Sequence, residues 1–124
     1  MSAKHRLTER DISLFEVLRL CRALTTHQIQ ALFFPGPSGS RCRERLKFLS
    51  DEGFIGRLEQ PSLMSAGRLP FVYIPKLAAI RVLAARQQCD VASIEWNGKP
   101  LTADYLFLAH ILDIAEVYIQ LCRG

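Results

Sequence analysis

Ser40-Arg41-Cys42-Arg43-Glu44-Arg45-Leu46-Lys47-Phe48-Leu49-Ser50-Asp51-Glu52-Gly53-Phe54-Ile55-Gly56-Arg57-Leu58 changes its period part-way along. Up to Glu52 the apolar residues Cys42, Leu46 and Leu49 recur at three- and four-residue steps, as on a helix with one buried stripe. Gly53 can then take the left-handed conformation that ends a helix, and Phe54 to Leu58 is a run of strand formers. The pattern predicts a helix over 41–52, capped by Ser38 or Ser40, that feeds directly into a strand. Opposite the buried stripe lie Ser40, Glu44, Lys47 and Asp51, with Arg41 and Arg43 on the flanks and Arg45 nearer the apolar edge. The cations crowd the first two turns, the part of a recognition helix that reaches base edges.

Two helix starts precede this stretch. Thr8 stands before Glu9, Arg10 and Asp11, so its hydroxyl can accept from a first-turn amide while the acids face the positive end of the dipole. Ile12, Leu14, Phe15, Leu18 and Cys21 then form a stripe, and Arg19 and Arg22 suit the last turn. Thr25 and Gln28 have capping-box spacing, with Leu24 placed to staple onto Ile29. A helix over 26–33 follows, turning Ile29, Leu32 and Phe33 inward until Pro35-Gly36-Pro37 stops it.

Downstream, Phe71-Val72-Tyr73-Ile74 is the natural partner of Phe54 to Leu58, and the span from Glu59 to Pro70 reads as a long hairpin tip carrying Arg68. Three helices and a two-stranded hairpin are the order of a winged helix-turn-helix, whose third helix enters the major groove while the hairpin touches the backbone. The expected fold is mainly α with a small β-hairpin, residues 1–76 forming the DNA-binding domain.

Residues 77–124 extend beyond that minimal unit. Lys76 or Leu77 to Gln87 reads as a fourth helix, and Asp90 to Pro100 as a loop or short strand. Thr102 is placed to cap a last helix from 103 to about 121. That helix is apolar nearly all round, and its polar stripe, His110, Asp113, Glu116 and Gln120, argues against a membrane span. Packing against the fourth helix and a second subunit accounts for both, which makes Phe107, Leu108, Ile111, Leu112, Ile114, Val117, Tyr118 and Leu121 the expected homodimer interface.

Composition limits the functions open to such a fold. With 124 residues, 49% hydrophobic and 23% charged, the chain can bury a core without staples. Cysteines 21, 42, 89 and 122 form no CxxC pair and no zinc spacing, so reduced thiols in a cytoplasmic protein are expected, with no metal or other cofactor. The opening residues lead into a capped helix rather than an apolar signal core. No nucleophile with a base and no phosphate-binding loop is visible, so no enzyme is expected.

The net charge of +4 is segregated. Residues 1–76 hold twelve Lys and Arg against seven acids, and residues 77–124 hold four against five. Such asymmetry fits a polyanion partner, double-stranded DNA. Arg41, Arg43 and Lys47 are the expected contacts, with Ser38 and Ser40 at the helix start. Thr26, His27 and Gln28 offer an anion site at the start of the second helix. Glu44 either accepts from a cytosine amino group or pairs with Lys47 or Arg41, and Arg45 either joins the contacts or pairs with Asp11 or Glu52. Arg57 and Arg68 are the candidates on the wing.

Several of these segments resemble the replication-relaxation family, winged-helix proteins of plasmids and other mobile elements. The resemblance rests on Leu7-Thr8-Glu9-Arg10-Asp11; on Leu24-Thr25-Thr26-His27-Gln28-Ile29 through Leu32-Phe33-Phe34-Pro35-Gly36; and on Arg43-Glu44-Arg45-Leu46-Lys47-Phe48-Leu49 running into Gly53-Phe54-Ile55 and Arg57-Leu58. A fourth segment, His110-Ile111-Leu112-Asp113-Ile114-Ala115-Glu116-Val117-Tyr118, is similar to that family's C-terminal pattern. The resemblance implies DNA contact in plasmid or mobile-element replication or its control. The other reading is an adaptor that docks onto a replication or transfer protein while its basic face is merely solvated.

Overall fold

The computed structural model describes residues 6–59, 70–96 and 105–123, without the side chains of 105–108 and 123. The first helix, α1, spans Glu9–Cys21 and opens with a complete capping box. Thr8 Oγ1 accepts from the Asp11 amide at 3.2 Å while Asp11 Oδ2 accepts from the Thr8 amide at 2.8 Å. Asp11, an acid facing the dipole and one of the two partners open to Arg45, is buried, and it holds Arg45 of another helix. Along α1, Leu14, Phe15, Leu18 and Cys21 are buried.

A two-residue strand, β1 (Leu24–Thr25), leads into α2 (Thr26–Phe33). Thr25 and Gln28 close the second capping box in both directions. The next helix, α3, spans Ser40–Asp51, with Cys42, Leu46 and Leu49 fully buried. Gly39, rather than either serine, is its cap residue; Ser38 instead turns its hydroxyl onto the Ser40 amide at 3.2 Å. The other end of α3 is a Schellman motif in which Phe54 N–H donates to Leu49 O and Gly53 N–H to Ser50 O. Gly53 has φ +83°, the conformation a glycine adopts without a Cβ clash.

Strands β2 (Ile55–Leu58) and β3 (Val72–Pro75) pair antiparallel, with Arg57 opposite Tyr73 and Leu58 opposite Val72. The sheet has a third strand that the sequence reading missed. Leu24 and Thr25 pair with Tyr73 and Val72, giving the order β1-β3-β2. Two residues between helices carry no strand periodicity, and their pairing depends on a partner almost fifty positions away. Thr25 therefore serves both as a ladder residue and as the cap of α2. Gly56 is closely packed: a Cβ there would lie 3.2 Å from Ile74 Cγ1 and Lys76 Cε, and those side chains would have to give by a few tenths of an ångström.

Beyond the sheet, α4 (Leu77–Arg86) lays Ala79, Ile80, Leu83 and Ala84 against α1 and β3. A single 3-10 turn at Val91–Ser93 stands where a loop or short strand was expected, and Ile94 after it is buried. The last helix, α5, covers Tyr105–Arg123; the predicted cap Thr102 lies outside the described residues. Among the described residues its main packing neighbours are α1, α2 and β1, more than the expected α4, through Ile111, Ala115 and Ile119 at four-residue spacing.

One main core joins all five helices. Phe15, Leu18, Ile29, Leu46, Leu49 and Ile80 are fully buried in it, each contributing roughly 1.5–3 kcal/mol. Ala115 and Ile119 of α5 belong to the same cluster, so the core continues across residue 76. No helix among the described residues is long and apolar enough to cross a membrane.

Candidate nucleic-acid interface

The core stripe of α3 leaves its opposite side in solvent. Arg41, Arg43, Glu44 and Lys47 are all exposed there, as the helical spacing requires. Arg41 and Arg43 make no ion pair among the described residues. Arg43 lies against the turn between α2 and α3, where a Cβ on Gly39 would come within 2.7 Å of Arg43 Nη1 and 2.8 Å of Gln30 Oε1. Lys47 holds Asp51 at 2.7 Å, and both side chains are more than half exposed. Such a surface pair contributes no more than about 1 kcal/mol and exchanges readily for another anion.

Arg45 has a different environment. Its Nε donates to Asp11 Oδ1 at 3.0 Å, its Nη2 reaches the second carboxylate oxygen, and Nη2 also donates to the Arg6 carbonyl at 2.8 Å. The guanidinium stacks 4.6 Å from the centre of the Phe48 ring. The hydrogen bond to Asp11 raises the already high Arg45 pKa, with partial desolvation opposing it. Of the two sequence alternatives for Arg45, the structure places it with Asp11, tying α3 to the first turn of α1.

The start of α2 offers less to an anion than its sequence promised. The Thr26 amide donates to Phe71 O at 3.0 Å and the Gln28 amide to Thr25 Oγ1 at 3.1 Å, so two of the first three donors already have acceptors. Gln28 Nε2 reaches across to Leu112 O and Glu116 Oε2 of α5, at 3.3 and 3.1 Å. His27 is exposed. No local pattern signals this coverage, because it arises from α5 docking over eighty residues away.

On the hairpin, Arg57 is exposed and stacks 4.2 Å from the centre of the Phe71 ring. Arg68 lies outside the described residues. Ser38 and Ser40 are exposed, joined Oγ to Oγ at 3.1 Å beside the start of α3. A groove of about 630 Å³ runs along α3, bounded by Arg41, Glu44, Lys47 and Asp51 on that helix and by Arg10 and Phe34 from α1 and the end of α2. Arg10 and Phe34 were absent from the sequence-based site. The available signal was a cation in the first turn of a helix, where acids are favoured.

The α5 surface divides the residues expected at an interface. Ile111 is buried with Ala23 and Val72, and Leu112 is partly buried beside them, so both face their own chain. Tyr118 packs partly against the main core. Ile114, Val117 and Leu121 face solvent at 52%, 61% and 77% exposure. The side chains of Phe107 and Leu108 lie outside the described residues.

A replication-relaxation family model matches residues 15–124. The chain belongs to the replication-relaxation family. The matched region of this replication-relaxation protein begins within α1 and contains all of α2, α3, the sheet, α4 and α5. The resemblance at Leu7–Asp11 lies outside the matched residues. No curated protein and no solved structure matches the chain.

Proposed function

We propose that this replication-relaxation protein is a non-catalytic winged helix-turn-helix protein that binds duplex DNA and acts in replication, or its control, on a plasmid or other mobile element. The observation that carries the reading is the solvent face of α3. Two arginines there lack an acidic partner among the described residues, a lysine holds only an exposed carboxylate, and the helix is fixed to α1 through Arg45. A rigid helix with unneutralised cations fits the wide, negatively charged major groove.

The sheet order supports the same reading. Strands β2 and β3 follow three helices and pair in the order β1-β3-β2, which fits a wing, and Arg57 stacks on Phe71 where a guanidinium can meet a phosphate. The pairing of Arg45 with the buried Asp11 carboxylate supports a role in positioning α3 rather than in touching DNA. Glu44, exposed between Arg41 and Lys47, is the acceptor available to a base amino group. The exposed stripe Ile114, Val117 and Leu121 is the surface for a second copy, and a dimer predicts a palindromic site with half-sites about one helical turn apart.

The test is fluorescence anisotropy of a labelled random duplex over a salt series. The DNA reading requires binding in the micromolar range that weakens steeply with salt. A folded protein that leaves the duplex unbound at low salt contradicts it and turns the basic face into the solvated surface of an adaptor.

A further inference from the structure

The wall of the α3 groove that comes from α1 has a chemistry of its own. Arg10 is exposed, and its guanidinium sits 4.6 Å from the centre of the Phe34 ring. It has an acid on either side in sequence, and neither takes it: Glu9 pairs with Arg86 of α4, and Asp11 with Arg45 of α3. Arg10 makes no ion pair among the described residues.

Its position is locally unfavourable. With Thr8 as the cap, Arg10 is the second residue of α1, where the helix dipole favours an acid over a cation. Arg41 occupies the same position in α3, whose first turn has no acid. These two arginines, one from α1 and one from α3, line the same groove. A cation kept where its own helix disfavours it, with its guanidinium over an aromatic ring, is arranged for an external anion rather than for folding.

We propose that Arg10, seated on Phe34, contacts a backbone phosphate of a DNA strand lying along the groove between α1 and α3. This rests on the DNA reading of α3 and extends it to a helix outside the recognition element. A helix inserted in the major groove is flanked by phosphate strands, and the α1 wall is where one of them meets the protein. The contact sets register and affinity and carries no sequence information.

The experiment is the same duplex titration with the unmutated protein, Arg10→Ala and Arg10→Lys, each with a thermal melt. Arg10→Ala is expected to weaken binding several-fold on any sequence, to reduce the slope of log K against log salt by about one, and to melt at the same temperature or higher. Arg10→Lys keeps the slope. Binding by the unmutated protein with an unchanged slope in Arg10→Ala overturns this inference alone. No binding by the unmutated protein overturns the DNA reading and this inference with it.

Discussion

Asp11 and Arg45 join the first turn of α1 to the middle of α3, with the Asp11 carboxylate 1% exposed and Arg45 Nε at 3.0 Å. The same carboxylate closes the capping box with Thr8. One buried side chain thus starts a helix and aims the helix proposed to read DNA.

Replacing that carboxylate leaves the Arg45 charge and the Thr8 amide without their acceptor. Asp11→Ala is expected to lower stability by about 3 kcal/mol, measured by urea denaturation. Arg45→Met is expected to cost as much, because the Asp11 charge then stays buried. The double variant is expected to cost less than the sum of the two singles.

At the end of α4, the Cys89 amide donates to Ala84 O and the Gln88 amide to Ala85 O, a Schellman motif with Gln88 at φ +56°. Gln88 is exposed, so its side chain packs little there. Gln88→Gly is expected to raise stability by about 0.5–1 kcal/mol, read as a higher midpoint in denaturant.

Burial pushes the Cys21 and Cys42 thiols up to about 11. A thiol whose pKa is raised on folding stabilises the fold fully below its unfolded pKa, near 8.5, and that contribution is lost as pH climbs through the folded value. Stability is therefore expected to fall between about pH 8.5 and 11, less steeply in Cys42→Ala once its own packing loss is subtracted. At pH 8, Cys122, which is exposed, is expected to react with a thiol reagent in the native protein, while Cys21 and Cys42 react only after denaturation.

The exposed residues Ile114, Val117 and Leu121 follow one another at three- and four-residue steps along the outer side of α5. Val117→Glu is expected to give a monomer with an unchanged circular dichroism spectrum, where the unmutated protein sediments as a dimer. A monomer in both cases contradicts the second-copy reading.

The parts legible in the sequence were those governed by neighbours in the chain. Thr8 and Thr25 marked helix starts because capping chemistry acts over three residues, and Gly53 marked the end of α3 for the same reason. The α3 stripe fixed which cations face solvent. What escaped depended on distant partners. β1 is two residues long, Gln28 is held by α5, and Arg45 had two acids to choose between until the fold placed Asp11 beside it. The side of α5 that packs inward could not be read from a helix apolar nearly all round. Arg10 was visible all along as a cation in the wrong turn, but its lack of an acidic partner among the described residues shows only once Glu9 and Asp11 are seen to be taken.

The central claim, that the solvent face of α3 meets DNA, is tested most directly by anisotropy of a random duplex with the unmutated protein and with the Arg41→Ala, Arg43→Ala, Lys47→Ala variant. The account predicts micromolar binding at low salt, and in the variant a slope of log K against log salt reduced by about three with the melting temperature retained. An unmutated protein that does not bind, or a variant that binds with the same slope, contradicts it.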